Sequence, residues 1–175
     1  PAIIWCDSRA VALGQDGLEQ LGEDYCFEQL LNSPGNFTAA KLRWVQLNQP
    51  EIFSQIDKIM LPGDYIAMKL SGEVTTTATG LSEGMLWNHI NQQPEQNLLK
   101  KWDIDSGLIP DVVPAIGQQA NVCATTAAEL GIPVNTPICY RCGDQPNNAF
   151  SLNVLNPGDV AATAGTSGVI YSVTD

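Results

Sequence analysis

From Pro137 to Asp175 one apolar stretch runs into Gly143-Asp144-Gln145 and a second ends in Gly165-Thr166-Ser167-Gly168. Residues 138–142 read as a buried strand whose carboxyl end delivers Asp144 into a turn ahead of the next helix, so that its carboxylate faces a cleft. Residues 159–163 and 169–173 read as two strands joined by the Gly-Thr-Ser-Gly turn, whose backbone amides and hydroxyls converge on an anion. Strands that end in polar turns and feed helices constrain the chain to a layered α/β architecture.

The rest of the sequence alternates in the same way. Residues 2–5 are a short strand candidate, followed by the polar run Cys6-Asp7-Ser8-Arg9, at the end where open parallel sheets place ligands. Trp5 can line such a ligand, or it can cap the core with Asp7 or Ser8 capping the next helix. Helical periodicity covers residues 9–21, weakened by Gly14 and Gly17 and ended by Gly22, then residues 23–31, ended by Asn32 and Pro34. Thr38 is a natural cap for the helix carrying Leu42, Val45 and Leu47, and Lys41 and Arg43 read there as solvated charges rather than a phosphate site. Pro50 opens a short helix, residues 56–61 read as a strand, and residues 65–70 as a helix capped by Asp64 and ended by Gly72. Residues 75–79 read as a turn into another helix, residues 94–102 as helical, and residues 107–114 as an irregular connection. Residues 117–122 can be extended, and residues 126–130 are helical up to Gly131. No internal repeat is visible, and the boundary to mark is the turn at Asn156-Pro157-Gly158.

Composition narrows the function classes. At 44% hydrophobic and 15% charged the 175 residues are ordinary globular material, with enough length for a sizeable core. Eight Lys and Arg against nineteen Asp and Glu leave a formal net charge of -11, so the surface repels nucleic acid and anionic membrane. An anionic nucleotide would then depend on local amides, hydroxyls and a divalent metal, and magnesium is the expected ion. No apolar run reaches the roughly 20 residues of a membrane span, and Pro1-Ala2-Ile3-Ile4-Trp5 does not form a signal peptide, so a cytoplasmic protein is expected. An apolar strand opening at the first residue, with an equally abrupt end, reads as a piece of a longer chain. The five cysteines lie in apolar segments without a disulfide framework and are expected to be reduced.

Cys139-Tyr140-Arg141-Cys142 has the spacing of a zinc or redox pair, but a zinc site needs two further ligands, and residues three apart on a strand point to opposite faces. His89, the one histidine, has no neighbour suited to metal ligation or nucleophile activation and reads as a loop or surface residue. No residue is assigned as a protein metal ligand. Asp144 alone could be a helix cap, and Gly-Thr-Ser-Gly alone could be an ordinary hairpin. Together, with Gln145, Asn147 and Asn148 offering hydrogen bonds to a small polyol, they are two parts of a phosphoryl-transfer centre. One would polarise an attacking hydroxyl and the other would hold the phosphate chain.

With those residues in place the chain resembles the FGGY carbohydrate kinases. The resemblance is carried by Ile3-Ile4-Trp5-Cys6-Asp7-Ser8-Arg9, Asn36-Phe37-Thr38-Ala39-Ala40-Lys41, Leu61-Pro62-Gly63-Asp64-Tyr65-Ile66, Lys69-Leu70-Ser71-Gly72-Glu73, the Cys142 to Ala149 stretch, and Pro157-Gly158 through Gly168. It implies a partial actin-like, ribonuclease-H-like sugar-kinase domain with a mixed sheet flanked by helices. Residues 1–156 would be the later part of the amino-terminal, sugar-binding domain, and residues 157–175 the opening hairpin of the ATP-binding domain. It further implies ATP-dependent phosphorylation of a small ketose, D-xylulose giving D-xylulose 5-phosphate. Asp144 would be the base, Trp5, Asp7, Asn36 and Gln145 would line the sugar site, and Gly165, Thr166 and Ser167 would hold the phosphates of ATP with Mg2+. The implied partners are a sugar and ATP, and a homodimer is compatible with the family. Glycerol, gluconate or ribulose are the alternative substrates, and a non-catalytic actin-like scaffold is the alternative outside enzymes. The family's Asp-x-Gly-Thr phosphate turn and its large adenine-binding domain do not occur in the sequence, so the chain by itself is expected to transfer little or no phosphate.

Overall fold

The computed structural model describes residues 3–165 and 168–174, and by internal packing the chain divides into two compact units, Pro1–Arg141 and Cys142–Asp175. In the first unit a short 3-10 turn at Ser8–Ala10 leads into α1 (Val11–Leu21), then α2 (Glu23–Tyr25), which runs on as a π-turn over Cys26–Leu30. There follow α3 (Thr38–Asn48), α4 (Pro50–Phe53), α5 (Pro62–Ser71), β1 (Thr75–Thr77), α6 (Ala78–Glu83), β2 (Trp87–Asn88), β3 (Gln93–Pro94) and α7 (Asn97–Lys101). The unit closes with β4 (Asp111–Val113), β5 (Ile116–Asn121), α8 (Ala124–Leu130) and β6 (Pro137–Tyr140). The second unit holds α9 (Asp144–Ser151) and the hairpin β7 (Val160–Ala164) with β8 (Gly168–Ser172). The strands pair in both senses: β1 with β4 is parallel, while β2 with β3, β5 with β6 and β7 with β8 are antiparallel.

The first unit's core gathers Cys26, Leu30, Ala39, Ala40, Leu81, Leu86, Leu98, Leu99 and Trp102. Each fully buried large side chain there contributes about 1.5–3 kcal/mol. Gly14 and Gly17, which look like weak points of α1, are its two buried residues. A methyl on Gly14 would fall 1.7 Å from the carbonyl oxygen of Gly35, and one on Gly17 would fall 2.7 Å from the Trp102 ring. The helix therefore gives up roughly 1 kcal/mol of propensity per glycine for a close approach that no side chain permits.

Several sequence expectations change. Residues 3–5 are not strand: the Asp7 amide donates to Ile4 O at 3.1 Å and closes a turn, while Ala2 lies outside the described residues. Residues 56–61 form no strand, because their contact with the 107–109 segment is the Ile59 amide to Leu108 O at 2.9 Å, with Lys58 Nζ on Gly107 O, rather than a repeating ladder. Thr75–Thr77 is a strand and not a turn, and its partner Asp111–Val113 lies in the stretch that reads as irregular. Residues 93–94 belong to a hairpin, leaving the helix to begin at Asn97. Strand β6 is largely exposed rather than buried, since it pairs with β5 along one edge. Thr38 is the first residue of α3, after Phe37 at the cap position, and contributes no capping hydrogen bond. No helix among the described residues is long and apolar enough to cross a membrane.

Candidate active site

Each of the two units carries candidate site residues, and each set is built by its own local grammar. In the first unit the chain turns sharply at residues 4–7 and presents Trp5, which is 85% exposed and so stands outside the core. The core-capping alternative falls to Trp87 and Trp102, exposed by 7% and 1%. Asp7 caps the 3-10 turn that follows: its Oδ1 accepts from the Arg9 amide at 3.1 Å, and the Arg9 guanidinium closes on both carboxylate oxygens at 2.9 and 2.6 Å. The hydrogen bonds from Arg9 hold the Asp7 carboxyl down at about 2. Arg9 also lies over the Trp44 ring at 4.6 Å, a cation–π contact.

Asn36, just before α3, and Lys41, in its first turn, reach this turn. The Asn36 amide nitrogen donates to Asp7 O at 2.6 Å and to Trp5 O at 3.4 Å. The Lys41 ammonium donates to Ile4 O at 2.8 Å and Trp5 O at 3.5 Å. Two carbonyl acceptors fix which end of the Asn36 amide faces them, and its Oδ1 is left buried with no hydrogen-bond partner among the described residues. An unsatisfied buried acceptor costs about 1–3 kcal/mol, which a ligand donor would recover. A cavity of about 670 Å³ opens here, lined by Ile3, Trp5, Asn36, Lys41, Leu61 and Glu83 among others. Lys41 and Arg43 are thus not free helix charges, since Arg43 donates to Gln46 Oε1 at 2.6 Å and to Trp102 O at 2.7 Å.

In the second unit Asp144 is the first residue of α9, with Gly143 at the cap position. Its side chain is exposed, and Oδ2 accepts from the neighbouring Gln145 amide at 3.3 Å. Asn147 does not remain available for a polyol: its amide donates to Cys142 O at 3.1 Å and Gly143 O at 2.8 Å, pinning the turn that carries Asp144. The hairpin base is pinned by Asp159, whose carboxylate accepts from the Leu155 and Asn156 amides at 3.1 and 2.9 Å. Those hydrogen bonds lower its pKa. Gly165 sits exposed at a bend after β7, while Thr166 and Ser167 lie outside the described residues.

Two polar networks escape a reading by local pattern. Asp64, expected as a helix cap, occupies the third position of α5, where Oδ2 does accept from the Leu61 amide at 3.3 Å. It is nonetheless 4% exposed, receives Thr76 Oγ1 at 2.8 Å, and pairs with Arg141 Nη1 at 3.0 Å. Arg141 completes its fork on Gln119 Oε1 and on Thr75 O and Oγ1, each at 2.9 Å. Glu95, fully buried, accepts from the Tyr25 hydroxyl, the Asn88 side chain and the Asn97 and Leu98 amides. His89 is half-buried, with Nε2 3.0 Å from Ser82 Oγ, and burial lowers its pKa. The five cysteines are unpaired thiols. Among the described residues no three His, Cys, Asp or Glu side chains are grouped to hold a metal ion.

Comparison with known proteins places the chain in a family. The profile of the FGGY family of carbohydrate kinases, N-terminal domain, matches residues 1–151. A xylulose kinase of Klebsiella pneumoniae is 28% identical over 179 residues, covering 100% of this chain and 36% of its own length. One from Escherichia coli is 27% identical with the same coverage. The crystal structure of a Rhodospirillum rubrum xylulose kinase superposes with a TM-score of 0.87 at 25% identity, covering 94% of this chain and 34% of that one. The chain thus spans about a third of the length of these relatives, within their actin-like, ribonuclease-H-like fold, and it belongs to the FGGY family of carbohydrate kinases.

Proposed function

We propose that the chain is the sugar-binding part of an ATP-dependent ketose kinase that converts D-xylulose to D-xylulose 5-phosphate. The observation that carries the reading is the Asp144 carboxylate: it is exposed at the start of α9 and bonded to an adjacent amide alone among the described hydrogen bonds. A base needs a lone pair within reach of the substrate hydroxyl, and a carboxylate spent on architecture has none to offer. Asp144 takes the proton of the sugar hydroxyl as that oxygen attacks the γ-phosphate, and the ADP oxygen leaves in line. Trp5 lines the sugar, Asn36 and Gln145 offer it hydrogen bonds, and Asp7 acts beside them. Gly165, Thr166 and Ser167 receive the nucleotide phosphates with amides and hydroxyls.

Magnesium supplies charge neutralisation when bound. The described residues hold no carboxylate cluster that would bind it unaided, so it comes with the nucleotide. In this reading residues 157–175 open the nucleotide-binding domain, the protein is cytoplasmic, and two copies assemble as a homodimer. The naming of xylulose kinases among relatives that cover this whole chain favours the ketopentose over glycerol, gluconate or ribulose.

The test is turnover of D-xylulose with ATP and magnesium by the longer protein that carries this chain, set beside its Asp144→Asn variant and the 175-residue chain alone. The longer protein is expected to form the sugar phosphate, the variant to lose catalysis while sugar binding survives, and the chain alone to stay at blank. An unchanged rate in the variant would place the base elsewhere or favour a scaffold.

A further inference from the structure

We propose that Lys41 is a positioning residue of the sugar site, holding the Trp5 turn in place rather than contacting phosphate. The proposal rests on the sugar-kinase reading and extends it to a residue that no hydroxyl-binding argument selects. The turn at residues 4–7 puts three carbonyls, those of Ile4, Trp5 and Asp7, at a half-exposed surface beside an aromatic side chain that is 85% exposed. A tryptophan so exposed would sample many rotamers and offer a ligand no fixed face. Each of the three carbonyls is instead met by a side-chain donor from one segment. Lys41 Nζ takes Ile4 O at 2.8 Å and approaches Trp5 O at 3.5 Å, and the Asn36 amide takes Asp7 O at 2.6 Å.

The two donors are five positions apart, one before α3 and one in its first turn, so a single rigid element sets the backbone on both sides of Trp5. That element is itself seated: the Gly35 carbonyl lies against the bare Cα of Gly14 in α1. The Lys41 charge is placed to do this and little else. Its contacts are carbonyl oxygens, and its field also favours the ionised Asp7. Its donors are on the turn, and Asn36 Oδ1, in a residue that lines the cavity, stays without a hydrogen-bond partner among the described residues.

The experiment uses the longer protein labelled with 5-fluorotryptophan, which puts a probe at each of this chain's four tryptophans, the Trp5 resonance being assigned with Trp5→Phe. Lys41→Met is expected to shift and broaden the Trp5 resonance while leaving those of Trp87 and Trp102. It should also raise KM for the sugar about tenfold, the loss of one charged hydrogen bond, at nearly constant kcat and unchanged KM for ATP, because binding that is equal in ground and transition states moves KM alone. Lys41→Arg, which keeps the donors and the charge, should restore most of both. If Lys41→Met loses the core resonances and so fails to fold, Lys41→Gln decides by the same readouts. An unmoved Trp5 resonance, or a change in KM for ATP with KM for the sugar unaltered, overturns the proposal. If the parent protein phosphorylates no sugar, the sugar-kinase reading fails by itself, and the Trp5 resonance still reports whether Lys41 holds the turn.

Discussion

Asp64 and Asp144 begin from the same local grammar, a carboxylate in the first turn of a helix just after a glycine. They end in opposite states. Asp64 is buried and shared between the Leu61 amide, the Thr76 hydroxyl and the Arg141 guanidinium, whereas Asp144 is exposed with the Gln145 amide for company. The first is committed to holding helix α5, strand β1 and the end of β6 in register. The second keeps its carboxylate open to solvent. Position in a helix thus says little about what a carboxylate does: burial and the number of donors already on it decide.

The contrast can be broken most forcefully at its chemical end. Asp144→Asn in the longer protein should lower kcat about 10²–10⁴-fold with stability changed by less than about 0.5 kcal/mol, read by steady-state assay beside urea denaturation. At the structural end Arg141→Ala strands a buried charge and should cost about 3–5 kcal/mol of unfolding free energy, with the residual folded fraction keeping its KM for ATP. A result in which Asp144→Asn destabilises as much as Arg141→Ala would erase the distinction. Gly14→Ala tests whether the seat of the sugar-side segment is as tight as the 1.7 Å approach implies. Overpacking there should cost about 1–3 kcal/mol and, unlike Arg141→Ala, raise KM for the sugar. The smallest effect belongs to His89. Burial favours its neutral form, so its midpoint in an NMR titration should fall below the ordinary 6.5. Its contribution to stability is complete above that value and is lost as the pH falls toward the folded midpoint.

What could be read in advance follows the range of the interactions. Helices α1, α5 and α8 come with periodic apolar residues and a terminating glycine or a starting proline, and their existence is legible. The pairing of Thr75–Thr77 with Asp111–Val113 is not, because each strand is three residues long and the partner lies far along the chain. Strand-like residues 56–61 lack a ladder for the converse reason: their apolar content is right, but their neighbours are side chains and a single carbonyl. The candidate site shows the same division. Asp144, Gln145 and Trp5 are carried by local motifs. Arg141 hides inside what looks like a cysteine pair, and the function of Lys41 depends on carbonyls far upstream of it.

The Tyr25–Glu95 pair, finally, sets a ceiling on the alkaline side. Burial first, and the adjoining carboxylate second, make the phenol of Tyr25 reluctant to ionise. In a spectrophotometric titration its ionisation, read as the ultraviolet red shift of the phenolate, should therefore fall above the ordinary phenol value. Its contribution to stability is complete below the ordinary phenol value near 10 and drains away as the pH climbs through the raised midpoint. A phenolate formed there would lie against a carboxylate with no cation to separate them among the bonded neighbours of Glu95. Strong base should accordingly loosen the contact between Tyr25 and Glu95.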